Sequence, residues 1–123
     1  MLAEPESAQL EDRLYELAGG GDRFAASELA AVEVARALRS RLDLDVETPE
    51  YALALDQSLT AVAMSPIDGQ VVAAAQVIGP PALRSLDAMH LATALLLRVD
   101  LLISYDQRML DGAAALGILT ERP

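Results

Sequence analysis

The sequence predicts an α/β fold: a mostly parallel sheet with helices on both faces, in one domain spanning residues 1–123. Three observations lead there. Short β-type segments alternate with longer helical ones, the pattern of strands joined by crossover helices. The apolar content is carried by Ala, Leu and Val while aromatics make up 3%, which suits helices packed closely on a small sheet. A chain of 123 residues that is 53% hydrophobic has room for one core and is not a disordered tail.

The elements follow in order. Pro5-Glu6-Ser7 opens a helix running to about Ala18, and Gly19-Gly20-Gly21 ends it. Residues 22–27 (DRFAAS) read as a short strand. An Ala-rich helix runs from Glu28 to about Arg41, and residues 42–48 form a polar connection. Thr48-Pro49-Glu50 starts the next helix, with Pro49 at its first position. Residues 60–65 (TAVAMS) are a strand, and Ser65-Pro66-Ile67-Asp68 begins a helix that fades at Gly79. Gly79-Pro80-Pro81 breaks the chain. Ser85 caps a helix to about Arg98. Residues 100–104 (DLLIS) are a strand, Asp106 to about Leu116 a helix, and residues 118–120 a last short strand.

Charge narrows the function classes. Nineteen acidic and nine basic residues leave a formal net charge of −10. A broad basic surface for nucleic acid is therefore excluded. An RNA or DNA ligand would need bound divalent cations, or a few arginines lining one groove. All nine basic residues are Arg, so chemistry that needs a lysine is ruled out. That removes a receiver-like phosphoacceptor, which resembles a family relying on a strand-end Lys. No cysteine is present, so neither a disulfide nor a thiolate metal site forms, as suits the cytoplasm. No apolar run approaches the roughly 20 residues that span a bilayer, and a signal peptide is not expected.

Three acids stand out, each with a plain structural explanation beside the chemical one. On helical periodicity Ala30, Ala31, Val34, Leu38 and Leu42 form the apolar face of their helix. Glu33 falls opposite with Arg36 and Ser40, as in a solvated face carrying an i,i+3 ion pair. Asp87 sits near the start of a helix that is otherwise apolar almost all round, in a stripe with His90, Ala94 and Arg98. A first-turn acid after a Ser cap is favourable there, yet a buried carboxylate is costly without compensation. Asp106 follows the DLLIS strand, either as the cap of the last helix or as a strand-end functional group. His90, the one histidine, reads as packed or partly exposed and not as a ligand.

The matching segments are Ser27-Glu28-Leu29-Ala30-Ala31-Val32-Glu33-Val34, Leu83 to Ala94, and Leu102-Ile103-Ser104-Tyr105-Asp106-Gln107-Arg108-Met109-Leu110. Leu86-Asp87-Ala88-Met89-His90-Leu91-Ala92-Thr93-Ala94 is the most specific of them. Together, in this order and spacing, they resemble the PIN-domain ribonucleases, specifically the VapC-type toxins of toxin–antitoxin pairs. The resemblance runs the whole length, including Glu4-Pro5-Glu6-Ser7. It implies that Glu33, Asp87 and Asp106 are catalytic, metal-binding acids, that Ser104 supports them by hydrogen bonding, and that a solvent-side Glu33 faces a cleft. It implies Mg²⁺, with Mn²⁺ as the alternative, held by oxygen ligands and activating water for in-line hydrolysis of an RNA phosphodiester. The implied partners are RNA, a VapB-type antitoxin with a basic tail, and a second copy in a homodimer; a membrane is not among them.

The resemblance also implies something ahead of Met1. In the family an apolar first strand, central in the sheet, carries the first acid with a Ser or Thr just after it. Here Leu2-Ala3-Glu4-Pro5 resembles the family from the end of the first helix onward. The expectation is a PIN-like domain lacking its N-terminal central strand, through a misassigned start or as a fragment, with unpaired edges on the flanking strands. In-frame DNA upstream of Met1 should encode an apolar strand ending in Asp; a stop codon immediately upstream defeats a misassigned start. The competing expectation is a non-catalytic PIN remnant that only binds partners.

Overall fold

The computed structural model describes residues 5–41, 43 and 45–123, with the side chains of residues 5–7 and 41 set aside. Glu4 and the apolar-face residue Leu42 lie outside the described residues. The elements are α1 (Pro5–Gly19), β1 (Phe24–Ser27), α2 (Glu28–Arg41), α3 (Pro49–Leu59), β2 (Val62–Ser65), α4 (Gly69–Val77), α5 (Ser85–Leu97), β3 (Leu102–Ile103), α6 (Gln107–Ala115) and β4 (Thr120–Glu121). The chain divides into two compact units, one reaching to Met64 and the other Ser65–Pro123. Among the described residues no helix is long and apolar enough to cross a membrane.

In the first unit, α1 ends at the glycine run, where Gly20 N–H donates to the carbonyls of Glu16 and Leu17. Strand β1 starts at Phe24, later than expected, and passes without a loop into α2. The buried Ser27 makes that junction: its Oγ accepts from Leu29 N–H at 3.2 Å. Leu38 is the fully buried residue of α2, on the face assigned to the interior, and α2 packs against β1 and α3. Thr48 caps α3 by accepting from Tyr51 N–H at 3.2 Å, with Pro49 in the first turn. Thr60 ends that helix instead of opening the strand: both its N–H and its hydroxyl donate to the Asp56 carbonyl. Ala61 follows in the left-handed region, at φ 66°, so β2 shortens to Val62–Ser65.

In the second unit, α4 starts at Gly69, four residues later than Ser65. Asp68 is its cap, its Oδ1 accepting from Val71 N–H at 3.0 Å. Helix α4 packs on α5, and α5 on α6. The core is Leu91, Met109 and Ala113, ringed by Ile78, Leu83, Leu102, Leu116 and Ile118. Burying a leucine such as Leu91 contributes about 1.5–3 kcal/mol. Helix α5 is less enclosed than its composition suggests: Leu91 to Ala94 are buried, but Leu86, Leu95, Leu96 and Leu97 are exposed by 40–54%. Strands β3 and β4 pair in parallel, Leu102 opposite Thr120 and Ile103 opposite Glu121, with α6 as their crossover. The last strand therefore sits one to two residues beyond the expected 118–120.

The parallel α/β character holds, but the sheet is divided. Strands β1 and β2 form one two-stranded sheet and β3 and β4 another. Among the described residues each strand thus has one hydrogen-bonded neighbour and one open edge.

Candidate active site

Glu33 and Asp106 stand within two helical turns of a strand-to-helix transition, whereas Asp87 lies on the first turn of α5, which follows helix α4. Glu33 is exposed on the second turn of α2, just beyond β1. Ser27, outside the expected set of site residues, is buried and locks the start of that helix. A signal for it existed: β1, β2 and β3 are each closed by a serine, at Ser27, Ser65 and Ser104.

Asp87 is the third residue of α5 and is half-buried. The expected serine cap is absent. Arg84 occupies the cap position with no side-chain hydrogen bond, and Ser85 is already helical. Asp87 is therefore the first-turn anion, where unpaired N–H groups favour negative charge. Among the described residues its carboxylate accepts no hydrogen bond and joins no ion pair. His90, one turn later, is half-buried.

Asp106 caps α6. Its Oδ1 accepts from Arg108 N–H at 2.9 Å, while its own N–H donates to Ser104 Oγ at 3.0 Å. Ser104 N–H in turn donates to the Glu121 carbonyl at 3.2 Å. The sheet thus holds Ser104, Ser104 holds the Asp106 backbone, and the cap bond holds one oxygen of its carboxylate. Asp106 is exposed, and among the described residues its second oxygen accepts no hydrogen bond.

Glu33 belongs to the first unit, Asp87 and Asp106 to the second. Among the described residues no group of three His, Asp or Glu side chains is gathered to hold a metal ion. The donor chemistry of the acids is all oxygen, which fits hard divalent cations.

The sequence profile of the PIN domain matches residues 1–115 and so runs through both units. Ribonuclease VapC47 of Mycobacterium tuberculosis (strain CDC 1551 / Oshkosh) is 34% identical over 125 residues, covering 100% of this chain and 88% of that protein. Ribonuclease VapC46 of Mycobacterium tuberculosis (strain ATCC 25618 / H37Rv) is 41% identical over 99 residues, 79% of this chain and 72% of that one. Ribonuclease VapC35 is 34% identical over 105 residues, 82% of this chain and 73% of its own length. No solved structure matches the chain.

Proposed function

This chain belongs to the PIN-domain family, and on that premise we propose that it is a metal-dependent endoribonuclease of the VapC type, a toxin neutralised by a VapB-type antitoxin. Glu33, Asp87 and Asp106 are its working acids, and Ser104 is the positioning residue for Asp106. Residues 1–123 act as one PIN-like domain, in the cytoplasm, as a homodimer bound by the antitoxin. A net charge of −10 favours a basic antitoxin segment.

The observation that carries this reading is the Asp87 carboxylate: half-buried, on a helix of Leu and Ala, with no donor among the described residues. No buried side-chain oxygen is left without a partner among the described residues, so the Asp87 oxygens keep access to solvent and to an incoming ligand, and a divalent cation has the chemistry that hard, charged oxygens bind. Mg²⁺ is the proposed ion, and Mn²⁺ fits the same oxygens. When bound, such an ion places positive charge at the scissile phosphate and makes the attacking water more acidic. The chain's own part is to hold the acids. Asp87 is carried on the first turn of α5. The cap bond from Arg108 N–H holds one Asp106 carboxylate oxygen, and the Ser104 contact holds the Asp106 backbone. The product is a hydrolysed phosphodiester, with no covalent protein intermediate.

The test is a titration of Mn²⁺ into the protein with single-stranded RNA as substrate. Cleavage should rise with metal and vanish in Asp87→Asn and in Asp106→Asn. Metal-independent cleavage, or cleavage indifferent to both substitutions, overturns the proposal; no cleavage at any metal concentration favours the partner-binding remnant.

A further inference from the structure

An acidic chain that acts on a polyanion needs a local place where phosphates are welcome, and helix α2 supplies it. Of the nine arginines in a chain of net charge −10, three fall at positions 36, 39 and 41. Elsewhere Arg13 is paired with Glu16 at 3.2 Å and Arg122 reaches Gln107. Arg36 and Arg39 are exposed, and among the described residues neither is engaged in an ion pair. The i,i+3 pair between Glu33 and Arg36 suggested by their spacing is not among the ion pairs of the described residues.

Helical geometry places Arg36 about 4.5 Å, and Ser40 about 10 Å, along the axis from Glu33. Glu33, Arg36 and Ser40 (i, i+3, i+7) lie on the exposed arc of α2, with Arg39 at its flank. Arg36, Arg39 and Ser40 also line an open hollow of about 940 Å³. Asp43 and Asp45 border the same hollow and repel an anion from its loop side, which leaves the helix side for phosphate. Guanidinium groups bind phosphate oxygens in pairs, and a serine hydroxyl adds a neutral donor.

We propose that Arg36 and Arg39, with Ser40, form the surface on α2 that holds the RNA backbone beside Glu33. The inference rests on the ribonuclease reading for the identity of its ligand, but its test needs no cleavage. Arg39 also lies near the C-terminal end of α2, where a cation offsets the helix dipole, so affinity alone does not discriminate. The salt dependence does. Each phosphate contact on single-stranded nucleic acid contributes roughly 0.7 to the slope of log K against log salt concentration.

The experiment is fluorescence anisotropy of a labelled single-stranded RNA of mixed sequence, with Ca²⁺ as the cation, over a series of NaCl concentrations. Arg36→Gln/Arg39→Gln should bind about tenfold more weakly and with a slope shallower by about 1.4. Arg36→Lys/Arg39→Lys should restore most of the slope, and Arg122→Gln should match the unmodified protein. Circular dichroism checks that every variant is folded. Unchanged slope and affinity in the double Gln variant overturn the inference and leave the ribonuclease reading standing. Absence of RNA binding by the unmodified protein overturns both.

Discussion

Asp106 has two duties that one substitution can separate. As the cap of α6 it accepts from Arg108 N–H, and Asn caps a helix about as well as Asp. Asp106→Asn should therefore keep stability within a few tenths of a kcal/mol while abolishing cleavage. Asp106→Ala should lose cleavage and about 1 kcal/mol of stability as well. Urea denaturation read beside an RNA cleavage assay distinguishes the outcomes; retained activity in Asp106→Asn would reduce the residue to a cap. Ser104→Ala removes the acceptor for the Asp106 N–H, so it should lower activity without eliminating it. These positions were legible in the sequence because a strand, a Ser and an Asp before a helix are local features. The loss of the serine cap on α5 was not legible. Ser85 and Arg84 are neighbours, and only the backbone path decides which is the last non-helical residue.

Helix ends and crossings carry the next level of specificity. Helix α6 closes with Gly117 in the left-handed region, φ 81°, while Ile118 N–H donates to the Ala113 carbonyl. Nothing lies within 4 Å of a Cβ placed there, so Gly117→Ala tests backbone conformation alone. It should cost about 1–2 kcal/mol. Helix α5 closes in the same way at Arg98, φ 55°, with Val99 N–H donating to the Ala94 carbonyl. A glycine signal announced the first of these ends and none announced the second.

Gly112 differs again. Asp111 is exposed and accepts from Gln107 Nε2 at 2.8 Å, but Gly112 is buried. A Cβ at Gly112 would come within 2.7 Å of Leu91 Cδ1, and Leu91 is fully buried with nowhere to turn. Gly112→Ala gains about 1 kcal/mol of helix propensity but incurs roughly 1–3 kcal/mol of overpacking. The expected result is a net loss in chemical denaturation; a gain would mean that α5 and α6 separate easily.

On the scale of the whole chain, the proposal of a single domain makes a cooperative prediction. Leu38 is buried in one unit and Leu91 in the other, and each truncation to Ala should cost about 2–5 kcal/mol. If residues 1–123 fold as one domain, both variants lower the same single transition, followed by circular dichroism because the chain lacks Trp. Two transitions, each shifted by one variant, would show two independently folding halves. The proposed acids are divided in the same way, Glu33 from Asp87 and Asp106. Should they serve one reaction step, Glu33→Gln and Asp87→Asn are non-additive: the double variant is no less active than the worse single one.

What the chain alone determined is whatever depends on near neighbours. The alternation of strands and helices, Thr48-Pro49 at a helix start, the glycine run after α1, and the three acids with their short flanking motifs all follow from contacts a few residues apart. Family membership follows from the same motifs in the same order. Tertiary structure decided what depends on residues distant in sequence: which face of α5 is enclosed and which leucines are left outside, that Gly112 is a crossing point, and that the strands of the described residues pair two by two. Burial and strand pairing are properties of surfaces brought together by the folded chain, and no local pattern encodes their partners.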